Sequence, residues 1–231
     1  MKIAIITSRY PSEGNLYSHM FVHMRSKEYI KQGEQVEVFV PSKESAEYIF
    51  EGVKVRVMPS KEIIKYLKEF DVLYLHLLHL YPLMKTNGWP IYKAIMQKKY
   101  PFAMYVHGSE AVYFKDRFFG VKYELRDVLS WLRKDFYHMP RLRNFLSTAT
   151  CDRGVIITAS EWMKGQIKTI FHMDNIYTIP NGIDVDLFSF KSIEAGTNLI
   201  ALRPLGGKVY DIESTIELLS LLPDQYTLDI F

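Results

Sequence analysis

Apolar positions along this chain fall into two alternating rhythms. Short, nearly continuous hydrophobic runs recur at 2–7 (KIAIIT), 35–41 (QVEVFVP), 53–59 (VKVRVMP), 71–78 (DVLYLHLL), 102–108 (FAMYVHG) and 154–160 (GVIITAS), and two more follow in NIYTIPNG and NLIALRP. Runs this short, with little polar alternation, are the pattern of strands covered on both faces. Between them apolar residues return at helical spacing over 18–32, closed by Gly33, and over 60–70, 90–99, 121–151 and 160–171. Strand and helix alternating at this cadence predict an α/β fold with a doubly wound, mainly parallel sheet. In such sheets ligands bind outside the carboxyl ends of the strands, which directs attention to the strand exits.

Those exits read TSRYPSEGN, HLLHLYP, VHGSE, TASEW and IPNG, and they are rich in Gly, Ser, His and Asn. Gly14 follows the first strand and precedes a helix, so a phosphate or sugar could approach the helix amides there; a plain turn is the alternative. His107-Gly108-Ser109 ends the fifth of these runs, where an imidazole can face the ligand crevice or serve structure alone. Ser160 is expected to cap the next helix, with Glu161 favoured by its dipole. In IPNGIDVDLF, Pro180 stiffens the chain, Asn181-Gly182 are the residues that most readily accept positive φ, Asp184 suits a short cap, and Phe188 is expected as an apolar anchor. Further on, Arg203 and Lys208 flank a Pro-Leu-Gly-Gly loop, an arrangement suited to clamping a diphosphate and equally to a charged surface.

The segment 115–143, which opens on Lys115 and closes on Arg143, carries eight basic and four acidic residues. Its apolar positions Leu125, Val128, Leu129, Leu132 and Phe136 follow helical spacing. A basic amphipathic helix suits an anionic membrane surface, but a core-facing helix with a solvated basic face is the preferred expectation.

Composition changes this picture little. With 231 residues, 48% hydrophobic, the chain can bury a sizeable core. A net charge of +3 gives no reason to expect a nucleic-acid partner. The single cysteine, Cys151, excludes an internal disulfide framework. No apolar run reaches the length of a signal peptide or a membrane span, so a cytoplasmic protein is expected, peripheral at the inner face of the membrane if the 115–143 segment binds lipid. His19 and His23 are four apart but lack companions at metal-site spacing, so no metal is expected.

KIAIITSRYPSEG, KQGEQVEVFV, VHGSE, ASEWMKGQI, IPNGIDVDLF and LRPLGGKVYDIESTIELLSLLP, in this order, resemble the glycosyltransferase family 4 enzymes of GT-B architecture. The resemblance spans essentially the whole chain and is strongest at IPNGIDVDLF. It implies transfer of a sugar from a nucleotide-sugar donor to a glycan or lipid-linked acceptor, with retained anomeric configuration and no cofactor or required metal. It implies that Gly14 lies near the donor phosphates or transferred sugar, that His107 contacts that sugar, and that Arg203 and Lys208 bind the diphosphate. Gly108, Ser109, Asn181 and Gly182 would line the cleft. Asn15 stands where many members carry a second glycine, Leu202 precedes Arg203 in place of glycine, and Val209 follows Lys208 where glycine is common. The organisation it implies is a Rossmann-like acceptor-side domain over 1–190 and, over 191–231, a linker with the first strand-helix-strand of a truncated, second Rossmann-like donor-side domain. On that expectation the chain as it stands lacks a complete donor site and is inactive alone. A GT-B-like binding module without catalysis and a nucleotide-sugar epimerase share these features and are the alternatives.

Overall fold

The structure is a computed structural model, and it describes residues 1–231 except 77, 82–86, 109–110, 115–124, 150–152, 187, 190–191, 193–195, 203–211 and 231, with the backbone alone at 127. The chain divides into two compact units, Met1–Asn181 and Gly182–Phe231.

In the first unit, β1 (Lys2–Thr7), β2 (Gln35–Pro41), β3 (Ala46–Phe50), β4 (Val53–Met58), β5 (Val72–His76), β6 (Phe102–Val106), β7 (Gly154–Thr158) and β8 (Ile176–Thr178) form one sheet. Its order is β3-β4-β2-β1-β5-β6-β7-β8, and every pairing is parallel except β3 with β4. This is the doubly wound α/β sheet expected from the hydrophobic runs. The exception was not expected: AEYIF forms an antiparallel edge strand, joined to β4 through Glu51 (φ 43) and Gly52 (φ 81). That edge strand carries only one buried residue, Phe50, so its sequence lacks the hydrophobic run that marks the others.

Alternate residues of each strand feed opposite cores. Ala4, Ile6, Phe39, Leu73, Leu75, Phe102 and Met104 face the side packed by α2 (Ser60–Tyr66), α3 (Trp89–Lys98), α5 (Met139–Ala149) and α6 (Glu161–Phe171). Ile3, Ile5, Val38, Val55, Tyr74 and Tyr105 face the other side, where α1 (Met20–Lys31) contributes Val22. Helix α1 stops where predicted, because Gly33 takes φ 88 and the amide of Glu34 bonds back to the carbonyl of Tyr29 at 3.0 Å. Ser160 caps α6 as expected, its hydroxyl accepting from the Met163 amide at 3.3 Å.

The expected helix over 121–151 is seen as α4 (Leu125–Arg133), a π-helical turn over Lys134–His138 and α5. Its apolar stripe corrects the core-facing expectation: Leu125 is 77% exposed, Phe136 72%, and Leu129 and Leu132 are also exposed. The core beneath is filled instead by Met139, Leu142, Phe145 and Leu146 of α5. Among the described residues no helix is long and apolar enough to cross a membrane.

The second unit holds β9 (Asn198–Ala201), α7 (Ile212–Ser220) and β10 (Thr227–Ile230), with β9 and β10 parallel. No residue of α7 is buried. The loop that opens this unit corrects two expectations. Gly182, like Asn181 before it, has no positive φ, and Phe188 is 65% exposed, so it anchors nothing. Asp184 does organise a turn: its carboxylate accepts from the Asp186 amide at 3.0 Å and its carbonyl from the Phe188 amide at 2.8 Å.

Candidate functional site

β1 sits where the strand order turns back, with β2 on one side and β5 on the other, so the crevice of this sheet opens outside the carboxyl ends of β1, β5 and β6. Thr7 is in register with His76, and His76 with Tyr105. With a side-chain period of two, His107 lies on the same face as Tyr105. That face is covered by α1, where Phe21 and Arg25, one turn apart, point down on the row.

The rings pack closely. Phe21 lies 4.5 Å from His107 between centroids, Tyr105 lies 4.6 Å from His107, and Tyr74 meets His76 edge-on at 4.5 Å. His76 is fully buried, and its Nδ1 is 3.2 Å from Nε2 of His107, which is half-buried. Gly108 follows with φ 142, in a region that favours glycine, and a side chain there would press on Met163. This turn carries the chain away directly after His107.

Arg25 ties the face together. Its guanidinium stacks 3.7 Å above the Tyr105 ring and donates to Tyr74 Oη at 2.9 Å and to Asn181 Oδ1 at 2.7 Å. Tyr105 Oη donates to the carbonyl of Ile179 at 2.8 Å, and the Ile179 amide bonds to the carbonyl of Thr158 at 2.8 Å. Asn181 is therefore held by side-chain hydrogen bonds from α1 and β6, which explains an asparagine at the strand exit without any positive φ.

Both histidines are pushed away from protonation. Burial, with the neighbouring Arg25 charge as the next cause, lowers His107 to about 4. Burial, then His107 itself, holds His76 well below the ordinary histidine value. At neutral pH the pair is uncharged, and its chemistry is that of a hydrogen-bonding imidazole beside a fixed cation.

On the other side of the crevice, Thr7 Oγ1 donates to the carbonyl of Arg9 at 3.0 Å, which leaves it to accept from His19 Nδ1 at 3.0 Å. Gly14 lies in the loop that Ser12 and Asn15 close by two backbone bonds, and a Cβ added there meets nothing within 4 Å. The fold therefore does not itself demand glycine at that position. His19 and His23 diverge, His23 binding Tyr10 and Glu51 instead. Among the described residues no group of three or more His, Cys, Asp or Glu could hold a metal ion.

Of the residues singled out in the sequence, the first unit brings His107, Gly108 and Asn181 to the carboxyl ends of β6 and β8, and Gly14 to the loop after β1. Gly182 belongs to the second unit, and Ser109, Arg203, Lys208 and Cys151 lie outside the described residues. Sequence reasoning missed Arg25, Tyr105 and the role of His76. The last was visible as a histidine at a strand exit. Nothing in a helical Arg or a buried strand Tyr announces a stacked pair.

The sequence pattern of Glycosyltransferase Family 4 matches residues 19–187. No curated protein matches the chain. Ten chains of solved structures match, among them one described as an alpha-glucosyltransferase in complex with UDP-glucose and DNA containing an abasic site. It is 15% identical with a TM-score of 0.52, and the match covers 94% of this chain and 54% of that one, so this chain spans about half its length. That likeness is one of fold.

Proposed function

This chain belongs to glycosyltransferase family 4, with the Rossmann-like sheet of GT-B architecture, and from that premise we propose that it serves a retaining transfer of sugar from a nucleotide sugar to a glycan or lipid-linked acceptor. The observation that carries the reading is the neutral His107 at the carboxyl end of β6, beside the reversal of strand order where such sheets bind ligands. UDP-glucose in the structural neighbour supports a nucleotide-sugar donor.

In the proposed reaction the bond from the anomeric carbon to the diphosphate oxygen breaks, its electron pair leaving on the diphosphate. An acceptor hydroxyl oxygen forms the new bond to that carbon on the face just vacated, and its proton passes to the departing diphosphate. His107 contacts the transferred sugar by hydrogen bonding. Gly14 leaves room for the donor, and Arg203 and Lys208 stabilise the charge developing on the leaving group, without a metal. The exposed stripe of α4, flanked by Arg126, Arg133 and Lys134, supports contact with an anionic membrane that presents the acceptor.

The test is incubation of the full-length enzyme, of which this chain supplies a portion, with a panel of nucleotide sugars and lipid or glycan acceptors, following nucleoside diphosphate release and the anomeric configuration of the product by proton NMR. The expected product keeps the donor's configuration. Inverted product contradicts retention, and an epimerised sugar without a new glycosidic bond contradicts transfer.

A further inference from the structure

His76 is fully buried at the site, and the family reading gives it no task. Its Nδ1 faces His107 Nε2 at 3.2 Å, while its Nε2 is buried without a hydrogen-bond partner. Two uncharged imidazoles that share a hydrogen bond hold one proton between the facing nitrogens, so one ring donates and the other accepts. If His107 were the donor, the proton of His76 would sit on Nε2, as a buried N–H with nothing to bond. Orphaned buried donors are rarer than orphaned acceptors and cost about 1–3 kcal/mol. The proton therefore belongs on His76 Nδ1, and the unpartnered Nε2 is a lone pair.

We propose, resting on the glycosyl-transfer reading above, that His76 is a positioning residue: its Nδ1–H donates to His107 Nε2 and so holds His107 in one ring orientation and in the Nδ1–H tautomer. His107 is then barred from acting as a base through Nε2. The surrounding rings supply the rigidity this needs. Tyr105 stacks on His76 at 5.9 Å and 24°, Tyr74 meets it edge-on, and Phe21 closes over His107. Tyr105 is itself fastened by Arg25 and by the carbonyl of Ile179, so the platform under both imidazoles is tied to α1 and to the strand exit at 179–181.

The test reads the tautomer directly, by long-range proton–nitrogen NMR of the chain labelled at histidine. In the wild-type spectrum His107 is expected to show an unprotonated Nε2 and a protonated Nδ1. In His76→Asn the amide nitrogen takes the place of Nδ1 and still donates, so the same tautomer persists. In His76→Gln the amide reaches toward the former Nε2, and in His76→Phe the donor is gone, so both should give mixed tautomers at His107. In the transfer assay His76→Phe should lower kcat by roughly tenfold or more, with the donor KM little changed, and His76→Asn should recover part of that loss. A protonated Nε2 on His107 in the wild type overturns the proposal without recourse to any variant. So does an unchanged tautomer in His76→Gln, or a His76→Asn enzyme no better than His76→Phe. If the spectrum is as expected but the full-length enzyme transfers no sugar, the hydrogen-bond direction stands and the glycosyl-transfer reading falls.

Discussion

His23 is fully buried on α1, yet both its ring nitrogens are used. Glu51, a carboxylate that only accepts, receives a hydrogen bond from Nε2–H at 3.2 Å, so Nδ1 is the lone pair that accepts from the Tyr10 hydroxyl at 2.9 Å. Glu51 also accepts from Lys27 at 2.7 Å, which fastens α1 to the turn between β3 and β4. Tyr10→Phe keeps the ring packing and strands one buried acceptor, at a cost of about 1–3 kcal/mol. A lowered urea midpoint with an unchanged slope would show this. An unchanged midpoint would mean that the pair contributes nothing net. The same logic separates His19 from His23, four residues apart: tertiary partners give each histidine its own task.

Among the elements, α4 departs most from expectation. Its stripe was legible as amphipathic, but which surface it would meet was not, because periodicity reports a face and not what covers it. With Leu125, Leu129, Leu132 and Phe136 exposed beside basic residues, the account predicts salt-sensitive co-sedimentation with phosphatidylglycerol vesicles and little with phosphatidylcholine. Leu129→Glu with Phe136→Glu should abolish it. Equal absence of binding to both vesicles at low salt would contradict a membrane role for α4. The central strands were legible for the opposite reason: burial on both faces makes them nearly continuous hydrophobic runs, as in β1, where only Lys2 is exposed. The edge strand β3 escaped notice because an exposed edge needs no such run, although Glu51-Gly52 held the turn signal.

At the scale of the whole molecule, five histidines among the described residues share one electrostatic direction. Burial is the first cause of lowering at His19, His23, His76, His79 and His107. His107 falls from 6.5 to about 4. A depressed histidine leaves the folded state binding fewer protons than the unfolded chain between those two values, so stability is fully present above the ordinary value and is lost as pH falls through the window. For His107, which is half-buried, the loss should be on the order of 1 kcal/mol per pH unit. Urea midpoints at pH 7, 5.5 and 4.5 should decline in that order. A flat profile would mean the imidazoles protonate freely in the fold. These shifts were not readable in the sequence, which placed His107 at a strand exit but held no signal for the Arg25 and Tyr105 platform that surrounds it.

The central claim is that this platform presents His107 to a sugar undergoing transfer. It is tested most directly by kcat of His107→Ala against wild type in the full-length enzyme under donor saturation, with the urea midpoint measured on the same samples. The substitution strands the His76 Nδ1–H, a loss of about 1–3 kcal/mol that leaves a domain of ordinary stability folded. The account predicts a folded variant whose kcat is lower by about 10²-fold. A folded variant that transfers sugar at the wild-type rate would contradict it.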